Sequence, residues 1–258
     1  MKQSLIIIKV GGKIVEESVS LASFLKDFAH TEGYKVLVHG GGRSATKLSE
    51  KLGIESKMVD GRRITDKQTL DVVTMVYGGL VNKNIVAGLQ ALGVNALGLT
   101  GADMNIIESV KRPIKEVDYG YVGDVKHVNA QIVASLIQQG IVPIVAPLTH
   151  DGAGSMLNTN ADTIASELAK SLSTYFDVTL VYCFEKNGVL SDEMDDNSVI
   201  PLITPSLFNK YVHQGIIKGG MIPKLENAFQ AIQAGVSKVV ITNATAIGKD
   251  AGTVVLTD

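Results

Sequence analysis

The sequence predicts an α/β fold, a largely parallel sheet with helices on both faces. Strand-like and helix-like patterns alternate along the 258 residues, the pattern expected where crossovers join parallel strands. A helix–glycine–strand junction recurs, at Gly140 before Ile141-Val142-Pro143-Ile144-Val145 and at Gly235 before Val239-Val240-Ile241. Two apolar strands near the start, Leu5-Ile6-Ile7-Ile8-Lys9-Val10-Gly11-Gly12 and Val36-Leu37-Val38-His39-Gly40-Gly41-Gly42, each end in a glycine loop.

After the first strand, Ser18 is the predicted cap of a helix whose apolar positions Leu21, Phe24, Leu25 and Phe28 are three and four apart. Gly33 fits its C′ position. A second helix covers 43–52 and ends at Gly53. Residues 57–65 read as a short hairpin around Asp60-Gly61. A long helical pattern runs from Asp66 to Leu92 and stops at Gly93; the Gly78-Gly79 pair inside it either interrupts it or allows close packing. Segment 102–126, rich in turn residues and tyrosine, predicts β-hairpins. Further helices are predicted over 131–139, 161–171 and 229–234, and a strand at Val178-Thr179-Leu180-Val181-Tyr182. No Pro/Ser linker divides the chain. Residues 1–258 read as one domain, with a soft boundary near Tyr175 between a larger lobe, 1–175, and a smaller one, 176–258.

Composition narrows the classes. Hydrophobic residues make up 45% of the chain, enough for a substantial core. No continuous apolar run reaches the ~18 residues a membrane helix needs. A strand pattern by Leu5 argues against a secretory signal. The only cysteine, Cys183, excludes an internal disulfide and suits the reducing cytoplasm. With a net charge of −2 and its 24 Lys and Arg dispersed, the chain has no nucleic-acid footprint. His30, His39, His127, His150 and His213 fall at no metal-ligand spacing, so no protein-held metal is expected.

Four stretches carry chemistry. In open α/β sheets ligands bind beyond the carboxyl ends of strands. Glycines there let backbone N–H groups approach a phosphate, and Lys9 brings a point charge to it. Neither a Walker A pattern nor a Gly-x-Gly-x-x-Gly fingerprint is present. In Leu157-Asn158-Thr159-Asn160-Ala161-Asp162, Asn160 reads as a helix N-cap with Asp162 in the first turn. The other reading is a polar cluster aimed at a ligand, with Asp162 holding lysines in place. Lys218-Gly219-Gly220-Met221-Ile222-Pro223-Lys224 sets Lys224 at the start of a helix, against its dipole, which points to a local anion or to a solvated surface lysine. Asp60-Gly61-Arg62-Arg63-Ile64-Thr65 offers arginine forks suited to a carboxylate, or a charged hairpin tip.

Together and in this order, with Gly188-Val189-Leu190 after a strand, these stretches resemble the amino-acid kinase family over nearly the whole chain. The Arg-x-Thr at Arg63 and the Asn-x-Asn-Ala-Asp at Asn158 resemble its acylglutamate kinases in particular. The resemblance implies a three-layer αβα sandwich with an open sheet of about eight strands. It also implies ATP-dependent phosphorylation of the side-chain carboxylate of N-acetyl-L-glutamate, a step of arginine biosynthesis. Alternatives are the same reaction on N-succinyl-L-glutamate, or a non-catalytic ligand sensor on this fold. The lobe 1–175 would bind the acylglutamate and form a dimer interface; the lobe 176–258 would bind nucleotide. Lys9 and Lys224 would stabilise the moving phosphoryl group, with Asp162 organising them. Gly41, Gly42, Arg63, Asn158 and Asn160 would hold the substrate. Gly11, Gly12, the strip Cys183, Phe184, Glu185, Lys186, Asn187 and Gly188, and Ile216, Ile217 and Lys218 would contact ATP, whose phosphates would hold Mg2+. Arginine-inhibited relatives carry an extra N-terminal helix; with a strand already at Leu5, the expectation is a cytoplasmic homodimer that arginine does not inhibit.

Four positions depart from the family's usual pattern. Arg43 stands where proline is common, Arg62 where an apolar residue is common, Glu185 where aspartate is usual and Lys218 where a small hydroxyl residue is usual. Arg43 and Arg62 flank the substrate loops. They read as plain surface arginines, or alternatively as groups that help accept a larger, more anionic acyl group such as succinyl.

Overall fold

The computed structural model describes residues 2–59, 62–247, 249 and 251–258. The apolar start forms β1 (Ser4–Val10), followed by a one-turn helix α1 (Gly12–Glu16) and α2 (Ser18–His30). Glu17 takes the N-cap position of α2 and Ser18 is its first residue, a correction of one place from the predicted cap. Strand β2 (Tyr34–His39) leads into α3 (Gly42–Lys51), and β3 (Met58–Val59) pairs antiparallel with β4 (Arg62–Arg63). The predicted turn at Asp60-Gly61 lies outside the described residues.

The long helical pattern becomes α4 (Lys67–Val73), a π-helical segment (Thr74–Val81) and α5 (Asn82–Ala91). Both glycines of the pair lie in the π segment. Gly78 allows close packing, since a Cβ there would stand 3.3 Å from Leu148 Cδ1, whereas the space at Gly79 is open. By length and composition the stretch Lys67–Ala91 could cross a membrane, although no continuous apolar run predicted it. Here Leu70, Val73, Val76, Ile85 and Leu89 are buried in the protein's own core.

Next come β5 (Ala96–Leu99), the predicted hairpin β6 (Ile107–Lys111) and β7 (Gly123–Val128), and α6 (Ala130–Gln138). They are followed by β8 (Val142–Val145), β9 (Leu148–His150), β10 (Met156–Asn158) and α7 (Ala161–Leu172). The last third holds β11 (Asp177–Phe184), β12 (Leu202–Ile203), α8 (Pro205–His213), α9 (Met221–Gln233), β13 (Lys238–Asn243) and β14 (Thr253–Val255). Helix α9 joins in one element the helix start predicted at Pro223-Lys224 and the helical segment predicted over 229–234.

The main sheet has eight strands in the order β12-β14-β13-β11-β1-β2-β8-β5. Neighbours run parallel except β13 and β14. Side chains alternate across β1: Leu5 and Ile7 enter one core with Leu168 of α7 and Leu225 of α9, while Ile8 and Val10 enter the other with Phe24 of α2 and Ile85 of α5. Helices therefore cover both faces, as a parallel sheet requires. The chain leaves β1 toward β2 on one side, and β11 lies on the other. Their carboxyl ends frame a topological switch point, where ligands of such sheets bind.

Candidate active site

Strand β1 carries Lys9 to the switch point, in register with Tyr182 of β11 and Val38 of β2. Its stem is buried, and Nζ lies 2.8 Å from Asp162 Oδ1, close enough for an ion pair though not aligned as a hydrogen bond. Asp162 sits in the first turn of α7, whose N-cap Asn160 accepts the N–H groups of Asp162 (2.8 Å) and Thr163 (3.1 Å). The cap that ends one loop thus also fixes the backbone that carries the carboxylate facing Lys9.

Lys224, in the opening turns of α9, places Nζ 3.8 Å from the centre of the Phe184 ring, and Lys9 Nζ is 5.2 Å from the same centre. Phe184 ends β11, so one aromatic ring neighbours both cations, an attraction of electrostatic origin. Burial lowers the pKa of the Lys224 ammonium, Asp162 raises it, and the neighbouring Lys9 lowers it. With Asp162 engaged by a lysine, the cluster is cationic overall and poised for an anion.

Two glycine loops complete this recess. Gly40 N–H donates to Val10 O at 3.0 Å and ties the second loop to the first. A Cβ on Gly12 would stand 3.6 Å from both Gly41 N and Gly42 N, so these amides face the first loop across a narrow gap. Gly41 admits no side chain: its Cβ would meet Tyr77 Cδ1 at 2.8 Å. Tyr77 comes from the π segment, is nearly buried, and was not marked by any sequence signal. Gly41→Ala is expected to raise the acceptor KM about tenfold, because overpacking a tight contact costs about 1–3 kcal/mol. Adding Tyr77→Leu should restore it; steady-state kinetics on both variants would show whether this contact is what matters.

Gly41, Gly42, Arg63, Asn158 and Asn160 line one cavity, together with Arg62, Tyr77, Val122 and Pro147. The Arg63 guanidinium is held rigidly: it donates to Ser56 Oγ (2.7 Å), Gly42 O (2.9 Å) and Thr46 Oγ1 (2.8 Å). Asn158 Nδ2 donates to Thr65 Oγ1 at 3.0 Å, which fixes the side-chain amide. Ser56 and Thr46 are thus supports that motif spacing does not reveal, while Thr65, the threonine of Arg-x-Thr, holds Asn158. The adjoining cavity holds Arg62, Asn160, Asp162, Phe184, Pro223 and Lys224.

The expected nucleotide residues divide. Gly11, Gly12, Cys183, Phe184 and Glu185 line a recess with Lys13, Gly42 and Arg43. Burial pushes the Cys183 thiol up to about 12, so it is an inert wall. Lys186, Gly188, Ile216, Ile217 and Lys218 line a separate recess with Glu193 and Met194. Asn187 lies outside both linings and bonds to Asp196 O (3.0 Å) and to Asn243. Two of the unusual positions meet: Arg43 reaches Glu185 at 3.5 Å, and Lys13 reaches it at 3.2 Å. Arg43 is thereby turned from the Arg63 cavity, which corrects its expected place beside the acyl group. Lys218 faces Glu193 at 3.6 Å.

Two fixed ammonium groups, aimed amide donors and an arginine-lined cavity at a switch point define a phosphotransferase for a small anionic molecule. The chain belongs to the amino acid kinase family, whose profile matches residues 4–243. It is 73% identical to a protein of Phocaeicola vulgatus named acetylglutamate kinase, over 99% of each chain. A Bacteroides fragilis protein of the same name is 70% identical, over 98% of this chain and 97% of its own. Among solved structures, a Streptococcus mutans protein superposes with a TM-score of 0.80 at 30% identity, covering 98% of this chain and 99% of its own.

Proposed function

We propose that this chain transfers the γ-phosphoryl group of ATP to the side-chain carboxylate of N-acetyl-L-glutamate, giving N-acetyl-L-glutamate 5-phosphate and ADP in arginine biosynthesis. The reading is carried by the Lys9–Asp162–Lys224 cluster opening onto the cavity of Arg63 and Asn158. Relatives at 70–73% identity bear the name of this activity. A cluster that keeps all three charged residues speaks against a non-catalytic sensor.

The acceptor carboxylate is ionised at neutral pH and needs no base. One of its oxygens forms a bond to the γ-phosphorus while the bond to the β–γ bridging oxygen breaks, and the electron pair leaves with ADP. Catalysis then rests on positioning and on stabilising charge. Lys9 and Lys224 neutralise the phosphoryl oxygens, the glycine-loop amides donate to them, and Asp162 holds Lys9. Arg63 and Asn158 hold the acylglutamate with Gly41, Gly42 and Asn160. Nucleotide lies against Gly11, Gly12 and the recesses of 183–188 and 216–218. On this reading residues 1–175 hold the acceptor and 176–258 the ATP. No group of three or more His, Cys, Asp or Glu able to hold a metal ion occurs among the described residues. Mg2+ fits as an ion carried on the ATP phosphates with its waters, the usual way this small, reluctantly dehydrated cation is bound with a nucleotide. A coupled ADP-release assay with N-acetyl-L-glutamate, carbamate, aspartate and uridylate tests the reading: turnover confined to the acylglutamate supports it, and turnover on another acceptor alone refutes it.

Arg62 supports a second reading of the acyl group. It lines the same cavity as Arg63 and has no ion-pair partner among the described residues. A guanidinium there suits an acyl chain ending in a second carboxylate, as in N-succinyl-L-glutamate. Arg62→Leu should then lower kcat/KM for the succinyl substrate about tenfold relative to the acetyl one, the worth of one charge-assisted contact. An unchanged ratio leaves acetyl as the only reading.

The chain's working state is a cytoplasmic homodimer. A free, buried Cys183 suits a reducing compartment. Met75 (53% exposed) and Leu80 (57%) on the π segment offer an apolar contact for a second copy. Light scattering should give twice the 27.4 kDa of one chain, and Leu80→Glu should return it to one; a monomeric parent protein excludes the dimer.

A further inference from the structure

His39 ends β2, immediately before the Gly40-Gly41-Gly42 loop, and its ring is completely buried. No step above uses it. Its Nδ1 lies 2.8 Å from Gly40 O, and its Nε2 lies 3.1 Å from Asn82 Nδ2. Asn82 is the first residue after the π segment and is also buried.

The hydrogen positions follow from the neighbours. Asn82 Nδ2 is also 2.9 Å from Ile144 O, which can only accept. Asn82 Oδ1 is 3.1 Å from Lys83 Nζ, which can only donate. Both contacts impose the same orientation on the amide, with its NH2 toward His39. Nε2 must therefore accept, and the imidazole is neutral with its proton on Nδ1. That proton is donated to Gly40 O. Burial also favours the neutral ring, holding its pKa down at about 4.

The bond has a consequence across the peptide. Gly40 N–H is already tied to Val10 O. With Gly40 O held by His39, both polar atoms of Gly40 are fixed. In a trans peptide the carbonyl and the following N–H point in opposite directions. The Gly41 N–H is thereby directed away from His39, toward the gap opposite Gly12. Without the Nδ1 proton, two lone pairs would face each other and the peptide would be free to turn.

We propose that His39, kept in its Nδ1-protonated neutral form by Asn82, is a positioning residue that aims the Gly41 N–H at the transferring phosphoryl group. The inference rests on the kinase reading above. The chain Lys83–Asn82–His39–Gly40 links the end of the π segment to the reacting atoms, and it gives that segment a use beyond packing, in keeping with the frequent placement of π-helical turns at functional sites.

Kinetics and NMR of the full-length protein test this together. His39→Leu removes the donor and should lower kcat about 10²-fold, the cost of losing one aimed donor, with both KM values within about threefold, since the contact acts in the transition state. His39→Asn keeps an N–H near the Nδ1 position and should recover kcat to within about fivefold of the parent, at a thermal midpoint matched to His39→Leu. In the parent protein, imidazole 15N shifts should report a protonated Nδ1 and a bare Nε2 from about pH 5.5 to 8.5, a window of about three units around neutrality. A folded His39→Leu variant with parental kcat overturns the proposal, as does a ring found protonated on Nε2. If His39→Leu does not fold, the tautomer decides alone. A parent protein with no acylglutamate-dependent turnover fails the kinase reading and takes this proposal with it; parental turnover with an indifferent His39 fails the proposal only.

Discussion

Lys9→Ala and Lys224→Ala are each expected to lower kcat by about 10²- to 10³-fold, with the acceptor KM moving within a few fold. This is the loss expected when one fixed charge is withdrawn from a site where negative charge is redistributed in the transition state. Lys9 is rigid: its stem is buried and its ammonium stands 2.8 Å from Asp162. Lys224 is half-buried, and its ammonium lies 3.8 Å from the Phe184 ring centre. Arginine is not expected to substitute well for either, because its delocalised charge on a longer, planar head cannot be set at the same point as a compact ammonium. With both lysines assigned to one phosphoryl group in the proposed reaction, the double variant is expected to lose far less than the product of the single losses. Steady-state kinetics with ATP and acceptor varied separately provides the check; a large rise in acceptor KM at unchanged kcat would move the lysines from the transition state to ground-state binding.

Asp162→Asn is the second large effect. It leaves the α7 cap intact, because Asn160 bonds the backbone amides and not the Asp162 side chain. What it removes is the charge beside Lys9 and Lys224. Misplacing Lys9 by about 1 Å costs about 10²-fold in kcat. The pH profile supplies a more specific signature. Lys224 acts as an ammonium, so activity is lost as pH rises through its lowered pKa. Asp162 is a raising influence on that pKa, and burial and Lys9 are lowering ones. Removing the carboxylate lowers the pKa further and moves the alkaline limb of kcat/KM to lower pH. A limb that stays in place, or moves up, contradicts the role assigned to Asp162.

The cluster was legible because its parts lie at strand ends and helix starts that announce themselves locally. Lys9 precedes a glycine pair, Asp162 follows a cap, and Lys224 opposes its own helix dipole. The sheet was legible for the same reason, through glycines that stop helices before apolar strands. What was not legible depends on geometry between distant segments. The meeting of Arg43 and Glu185 spans 142 positions and turns Arg43 from the Arg63 cavity. Tyr77 carries no motif, and it reaches Gly41 because a π-helical segment carries its register. Helix α8 was missed although Thr204 caps it and Pro205 opens it; it buries no side chain fully, so its apolar stripe is weak.

The central claim is that the phosphoryl group passes to a carboxylate oxygen. Running the reaction with ATP, Mg2+ and N-acetyl-L-glutamate in the presence of hydroxylamine tests it most directly, because an acyl phosphate reacts with hydroxylamine to give a hydroxamate. Hydroxamate formed in step with ADP, and abolished together with it in Lys9→Ala, is the predicted result. ADP released without hydroxamate would show that the phosphoryl group goes elsewhere and would contradict the account.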